Sequence, residues 1–358
     1  NPAKFALFVS FFPQLIQGPI ARFDQLESQL VTPHRFDLDG IERGLLLMLW
    51  GWFKKKVIAD RALSLVEAVF GSQSAYGGAV IVVGVLFYSL QQYADFSGGI
   101  DLVTGIAQLF GIQLAPNFKR PYFSVSLGDF WRRWHISLGA WMRDYVFYPF
   151  ALTRPVSRMS KALKKKAGTH IARALPAALG NILVFLLVGV WHGAQMNYAL
   201  WGLYNGVILA FTALVEPVYK RMNDRLPRLT ASGGFHVFRI LRTFLVVNIG
   251  WYFDRCVRVS DAFAMLHKTF FAFNARQLFD GTLDTLGLAA KDYRILLVAT
   301  IILFVVSLMQ ERGVKIRDFV LSRPLALRWA VLYAFIFFVL ATFGGSNVAA
   351  SGFMYAVF

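Results

Sequence analysis

The chain reads as an all-α, polytopic integral membrane protein, and three observations carry that reading. It is 57% hydrophobic and 16% aromatic, with a mean hydropathy of +0.52, well above the usual apolar share of soluble proteins. No Lys, Arg, Asp or Glu lies between Arg173 and Glu216, a stretch long enough to leave a membrane face and return to it. The net charge of +17 gathers in short loops between apolar runs, the pattern of cytoplasmic loops under the positive-inside rule. No basic stripe along a surface helix is expected, so nucleic acid is not an expected partner and a lipid bilayer is.

The elements follow in chain order. Residues 5–20, FALFVSFFPQLIQGPI, are apolar but broken by Pro13, Gly18 and Pro19, which suits a re-entrant segment covered by protein or a cavity. Residues 41–53 predict a short apolar helix, with Lys54, Lys55 and Lys56 as a cytoplasmic stop signal. Residues 77–110 hold Asp95, Asp101 and several glycines, so a broken or bent span is expected. Residues 121–150 alternate aromatic and charged side chains, as an interfacial or cavity-lining helix would. Residues 154–176 carry seven Lys or Arg and no acid and are expected to form a cytoplasmic loop. A membrane hairpin over residues 176–215 follows, then a crossing over 235–253 and an amphipathic interfacial helix over 257–273. Residues 295–308 and 329–343 predict two last crossings around a basic loop at 311–328. The C-terminus is then expected on the extracytoplasmic side.

The chain starts at Asn1 inside an apolar run, with no basic n-region and no small-residue cleavage site. It is therefore not read as beginning with a signal peptide, and an N-terminal part is expected to precede it. A single cysteine, Cys256, excludes an internal disulfide and a multi-cysteine metal site; packing is its expected role. No His/Asp/Glu spacing predicts a metal, and no GxSxG elbow is present.

The candidate site begins with His192, in LLVGVWHGAQ, far from any charge in sequence. An imidazole in an apolar span needs a hydrogen-bond partner or a water-filled cavity, and ionisable residues there are functional candidates. A helix-packing histidine bonded to a carbonyl is the alternative. Trp191 and Gly193 flank it as a rigid wall and a point of close backbone approach, or as an interface anchor and a helix end. His135 sits among Arg132, Arg133 and Trp134 in FWRRWHISL, and either assists catalysis or bonds at the interface. Arg132 and Arg133 suit phosphate groups of a donor or lipid headgroups. Asp95 needs a cationic partner, expected among these basic groups, and supports the site rather than acting as a base. His34, His170, His236 and His267 lie in or beside polar loops, where solvated roles are expected.

Four ordered blocks make the chain resemble a known family. FFPQLIQGPI, YADFSGGIDLVTGIAQLFGIQLAPNF at residues 93–118, FWRRWHISL and the later WHG stand in sequence. Together with the terminal FMYAVF they resemble the membrane-bound O-acyltransferase (MBOAT) family, in particular its bacterial branch of alginate O-acetylation and teichoic-acid D-alanylation membrane proteins. The resemblance spans essentially the whole chain as one domain. It implies a ring of helices thinned at the centre, with a funnel bringing a cytoplasmic acyl thioester to a site open to the other side. It maps the two family histidines onto His192 and His135. It further implies an acetyl-CoA or acyl-carrier-protein donor used as substrate, with no tightly bound cofactor. The acceptor would be an extracytoplasmic polysaccharide, and an extracytoplasmic transferase or small membrane protein would assist; the phenylalanine and tyrosine side chains Phe353, Tyr355 and Phe358 either offer a docking element for it or anchor the last span at the interface. The expected location is the bacterial cytoplasmic membrane.

The residue chemistry agrees with acyl transfer, which needs a base or nucleophile and oxyanion donors. Two other classes stay open on sequence. A transporter or flippase would use intramembrane His and Asp for protons or substrate. A scaffold would only dock an external transferase.

Overall fold

The computed structural model describes residues 1–15 and 17–342. Among these, helices and connecting turns account for the fold and no strand occurs. Four helices are long and apolar enough to cross a membrane: Gly78–Leu109, Arg154–His192, Ala290–Glu311 and Leu325–Thr342. Met196–Leu214 and Glu216–Arg225, bent by 53°, make a fifth candidate span. This is a multi-pass membrane protein. Large apolar side chains such as Leu297, Phe304, Phe337 and Leu340 stay exposed, as lipid-facing surfaces require.

The chain forms two compact units. One takes residues 1–117 and the described residues from 271 onward; the other takes residues 118–270.

The first unit is built on Gly78–Leu109, which is one continuous helix of 32 residues rather than the broken span its glycines suggest. Those glycines admit a neighbour. A Cβ at Gly98 or Gly105 would press on the carbonyl of Gly51 or Gly44 in the helix Leu38–Trp52, so the two backbones meet at close range. The aspartates of the long helix find cations as well. After Trp52 the chain passes into a π-helical stretch, Phe53–Ala59, and then the helix Asp60–Gly71. Lys54, Lys55 and Lys56 lie in this stretch and are not the expected solvent-facing stop signal. Lys54 pairs with Asp101 (2.8 Å) and donates to Ser97 (2.8 Å). Lys55 pairs with Asp95 (2.6 Å) and Asp60 (2.9 Å), and Lys56 with Asp60 (2.8 Å). Arg61 pairs with Asp292 (2.9 Å) and donates to the carbonyl of Thr342 (2.8 Å). Consecutive residues of an α-helix diverge by about 100°; i→i+5 turns narrow that spread and let three adjacent lysines find acids in the interior.

In the second unit the expected single helix over residues 121–150 is instead a chain of short pieces. These are Leu127–Arg133, Ile136–Met142, a π turn at Arg143–Phe147 and Tyr148–Ala151. The expected basic loop at 154–176 is helical, part of Arg154–His192, whose run is interrupted only at Gly168 (φ 85°). The hairpin is as expected: the helix ends at His192 and Met196–Leu214 returns. Gly189 and Gly202 face each other across it, and a Cβ on either would collide with the other helix's backbone. Gly233–Arg255 follows; at its end the Cys256 amide donates to the Tyr252 carbonyl (3.3 Å), and the Cys256 side chain is buried beside Met265 as a packing thiol. Val259–Phe271 is the expected amphipathic helix. The C-terminal aromatic residues and the side on which the chain ends lie outside the described residues.

Candidate active site

The second unit gathers most of the predicted site residues around one indole. Trp191 and His192 form the last turn of a long helix that stops at Gly193. The rings of Trp191 and His192 lie 5.0 Å apart, nearly perpendicular. Trp191 also meets His135, at 6.2 Å. His135 comes from an unusual place. It is buried, and it occupies the left-handed region (φ 46°, ψ 52°) at the junction between Leu127–Arg133 and Ile136–Met142. A non-glycine residue there carries strain that surrounding packing must hold.

That packing is aromatic. Trp134 stacks on Phe130 (5.4 Å, 18°) and packs against Trp251 (5.7 Å) and Phe118 (5.1 Å). Trp201 faces His192 edge-on at 5.2 Å and continues the wall to Trp131 and Trp251. Tyr198 stacks alongside His192 at 6.3 Å. Its ring sits where a Cβ on Gly193 would be, 2.7 Å away. Gly193 is therefore both the helix end and the point of close approach. Two side-chain amides anchor this wall: Asn205 accepts from the Trp131 indole N–H (3.2 Å), and Asn197 donates to the Phe253 carbonyl (3.2 Å). Trp191 itself is 50% exposed and His192 only partly buried, so the imidazole combines a rigid aromatic setting with access from outside.

The remaining candidates separate. Arg132 and Arg133 both pair with Asp129, at 3.6 and 3.3 Å, and the Arg132 side chain is 73% exposed. Asp129 is fixed in turn by the Val125 amide (3.2 Å). Asp95 belongs to the first unit. It pairs there with Lys55 of the π-helical stretch. Of the other histidines, His34, His236 and His267 are exposed and His170 bonds the Leu214 carbonyl (3.0 Å).

Tyr198, Trp201, Asn197 and Asn205 escaped the sequence reading. Their run, MNYALWGLYN, looks like ordinary apolar helix; only its place directly after the WHG turn signals that the returning helix must pack on His192.

Among the described residues, the chain is thus an all-helical, multi-pass membrane protein with two histidines set on one tryptophan. Residues 1–248 match the MBOAT, membrane-bound O-acyltransferase family, and the chain belongs to that family. It is 33% identical over 264 residues to the peptidoglycan O-acetyltransferase of Helicobacter pylori, a match covering 73% of this chain and 45% of that protein. It is 35% identical over 279 residues to a probable alginate O-acetylase of Pseudomonas syringae pv. tomato, covering 78% and 48%. It is 28% identical over 251 residues to the teichoic acid D-alanyltransferase of Bacillus subtilis, covering 68% and 59%. The chain thus spans about half the length of the curated relatives it matches.

Proposed function

We propose that this protein is a membrane O-acyltransferase. It moves an acetyl or similar small acyl group from a thioester, acetyl-CoA or an acyl-carrier protein, toward hydroxyls of an extracytoplasmic polysaccharide. The observation that carries this reading is the juxtaposition of His135 and His192 on Trp191, within the part of the chain that matches the family.

In this reaction His192 accepts the proton of the attacking hydroxyl as its oxygen bonds to the thioester carbonyl carbon. The C–S bond then breaks, and the departing sulfur takes that proton from the imidazole, so atoms and charge balance. General-base assistance of this kind is worth ~10²–10⁴ in rate. His135, which also packs on Trp191, orients the reacting groups. Trp191, Trp201 and Tyr198 pack around His192, and Trp191 also meets His135; Trp134 builds the aromatic wall beside His135. Gly193 lets Tyr198 close on His192. Arg132 and Arg133, tied to Asp129, present guanidinium groups to donor phosphates. Asp95 supports the first unit through Lys55.

The membrane is the bacterial cytoplasmic membrane, with residues 164–166, 220–228 and 312–328 on the cytoplasmic side and the C-terminus on the other. The acyl group passes on with the help of an extracytoplasmic transferase or a small membrane partner. Purified protein given labelled acetyl thioester and a hydroxyl-bearing oligosaccharide tests the reading. Release of thiol with transfer of label to acceptor or protein is expected. Substrate counterflow in vesicles without thiol release would contradict it and favour a carrier. Comparing polymer acylation by the protein alone and with its partner tests the second step; full polymer acylation by the protein alone would remove the partner from the account.

A further inference from the structure

Away from the histidine site, the segment from Trp141 to Lys166 presents two different surfaces in succession. The first is aromatic and apolar. Trp141, Tyr145, Tyr148 and Leu152 follow one another along this segment, and all four are exposed, Leu152 by 82%. The rings of Trp141 and Tyr145 pack at 5.1 Å. The second is cationic. Beyond Thr153 the chain turns into the basic half of Arg154–His192, where Arg154, Arg158, Lys161, Lys164, Lys165 and Lys166 are all exposed. The opposite face of the same helix packs inward through Val156, Met159 and Leu163. No acid occurs between Arg154 and Arg173. This is the basic helical stripe that the sequence reading did not expect.

The cationic helix stops at Gly168, where φ is 85°. Beyond it runs the apolar stretch that ends at His192. On the far side of the break, His170 is tied to the Leu214 carbonyl (3.0 Å), which fixes the start of that stretch. The basic face therefore lies one break away from a membrane-crossing segment.

We infer that residues 141–166 form a platform for anionic phospholipid headgroups: the Trp141–Tyr145–Tyr148–Leu152 run sits at the membrane interface and the six exposed cations bind lipid phosphates beside it. Exposed tryptophan and tyrosine favour the headgroup level because each ring has an apolar body and a polar edge. Clusters of four to eight Lys or Arg next to a membrane span attract acidic lipids. Here the two signals are consecutive in the chain. The cationic helix keeps its apolar side chains against the protein, so its contact with the bilayer is electrostatic. An acidic protein would be met by the cations alone, and the adjoining apolar run is what favours lipid.

The test uses the full chain in detergent micelles doped with a dansyl-labelled lipid, read by energy transfer from tryptophan. Dansyl-phosphatidylglycerol is compared with dansyl-phosphatidylcholine. The wild type is expected to prefer the anionic lipid, with the preference falling steeply as salt rises. The variant K161Q/K164Q/K165Q/K166Q should lose that preference by about tenfold. K161R/K164R/K165R/K166R should keep it, which separates charge from folding. An unchanged preference in the quadruple Gln variant would overturn the inference. So would a wild type that holds both lipids equally. So would a quadruple variant that keeps its lipid preference but no longer binds an acidic acyl-carrier protein.

Discussion

Two Lys-Lys-Lys runs in this chain have opposite fates. Lys54, Lys55 and Lys56 lie in the interior of the first unit, each paired with an aspartate. Lys164, Lys165 and Lys166 are exposed on a surface helix with no acid near them in sequence. The difference is in the neighbours, not the tripeptide. Asp60 follows Lys56 by four residues, and the facing helix offers Asp95 and Asp101; the second run has no such partners. A positive run marks a solvent face only where nothing in the fold returns negative charge to it. Burial of the first run also required a backbone that departs from α-helix.

The comparison breaks most sharply at Lys55, whose side chain, like that of Asp60, is 3% exposed. Lys55→Met removes the cation that joins Asp95 to Asp60 in the interior, while Asp60 keeps Lys56, at a cost of about 3–5 kcal/mol. Thermal unfolding in detergent should show a large fall in midpoint, and Lys55→Met/Asp95→Leu should recover part of it. If Lys55→Met is as stable as wild type, the buried network does not hold this unit together.

A smaller loss is expected where the same network's helices meet. Gly105→Val drives a side chain into the Gly44 carbonyl and should cost about 1–3 kcal/mol by forcing the helices apart. Wild-type stability would mean that the close contact is dispensable.

The smallest effect belongs to the second run. Replacing Lys164, Lys165 and Lys166 by Gln should change stability by less than about 0.5 kcal/mol, measured by the same unfolding midpoint. A loss comparable to that of Lys55→Met would erase the distinction between the two runs.

Much of this was legible in the sequence, for physical reasons that differ by element. The hairpin around His192 announced itself through its uncharged length, because hydrocarbon selects apolar residues over a fixed distance. His192 stood out as a candidate for a similar reason: an imidazole inside such a run is costly in hydrocarbon and needs a partner or a cavity. The interior lysines were not legible, because charge alone does not reveal whether a distant aspartate will face it. Nor was the fragmentation of residues 121–150, since His135 takes a left-handed conformation that neither periodicity nor propensity announces. The glycines of Gly78–Leu109 misled in the opposite direction, reading as breaks where they are contacts. Tyr198 and Trp201 were hidden among ordinary apolar residues until the returning helix laid them on His192.

The account rests on His192 as the group that moves the proton. The most direct measurement is the acyl-transfer rate of purified His192→Ala from a labelled thioester, with yield, elution profile and unfolding midpoint recorded on the same preparation. The imidazole is only partly buried, so its removal should leave those three properties near wild type while the rate falls by ~10²–10⁴. A correctly folded His192→Ala protein retaining more than about half of the wild-type rate would contradict the assignment.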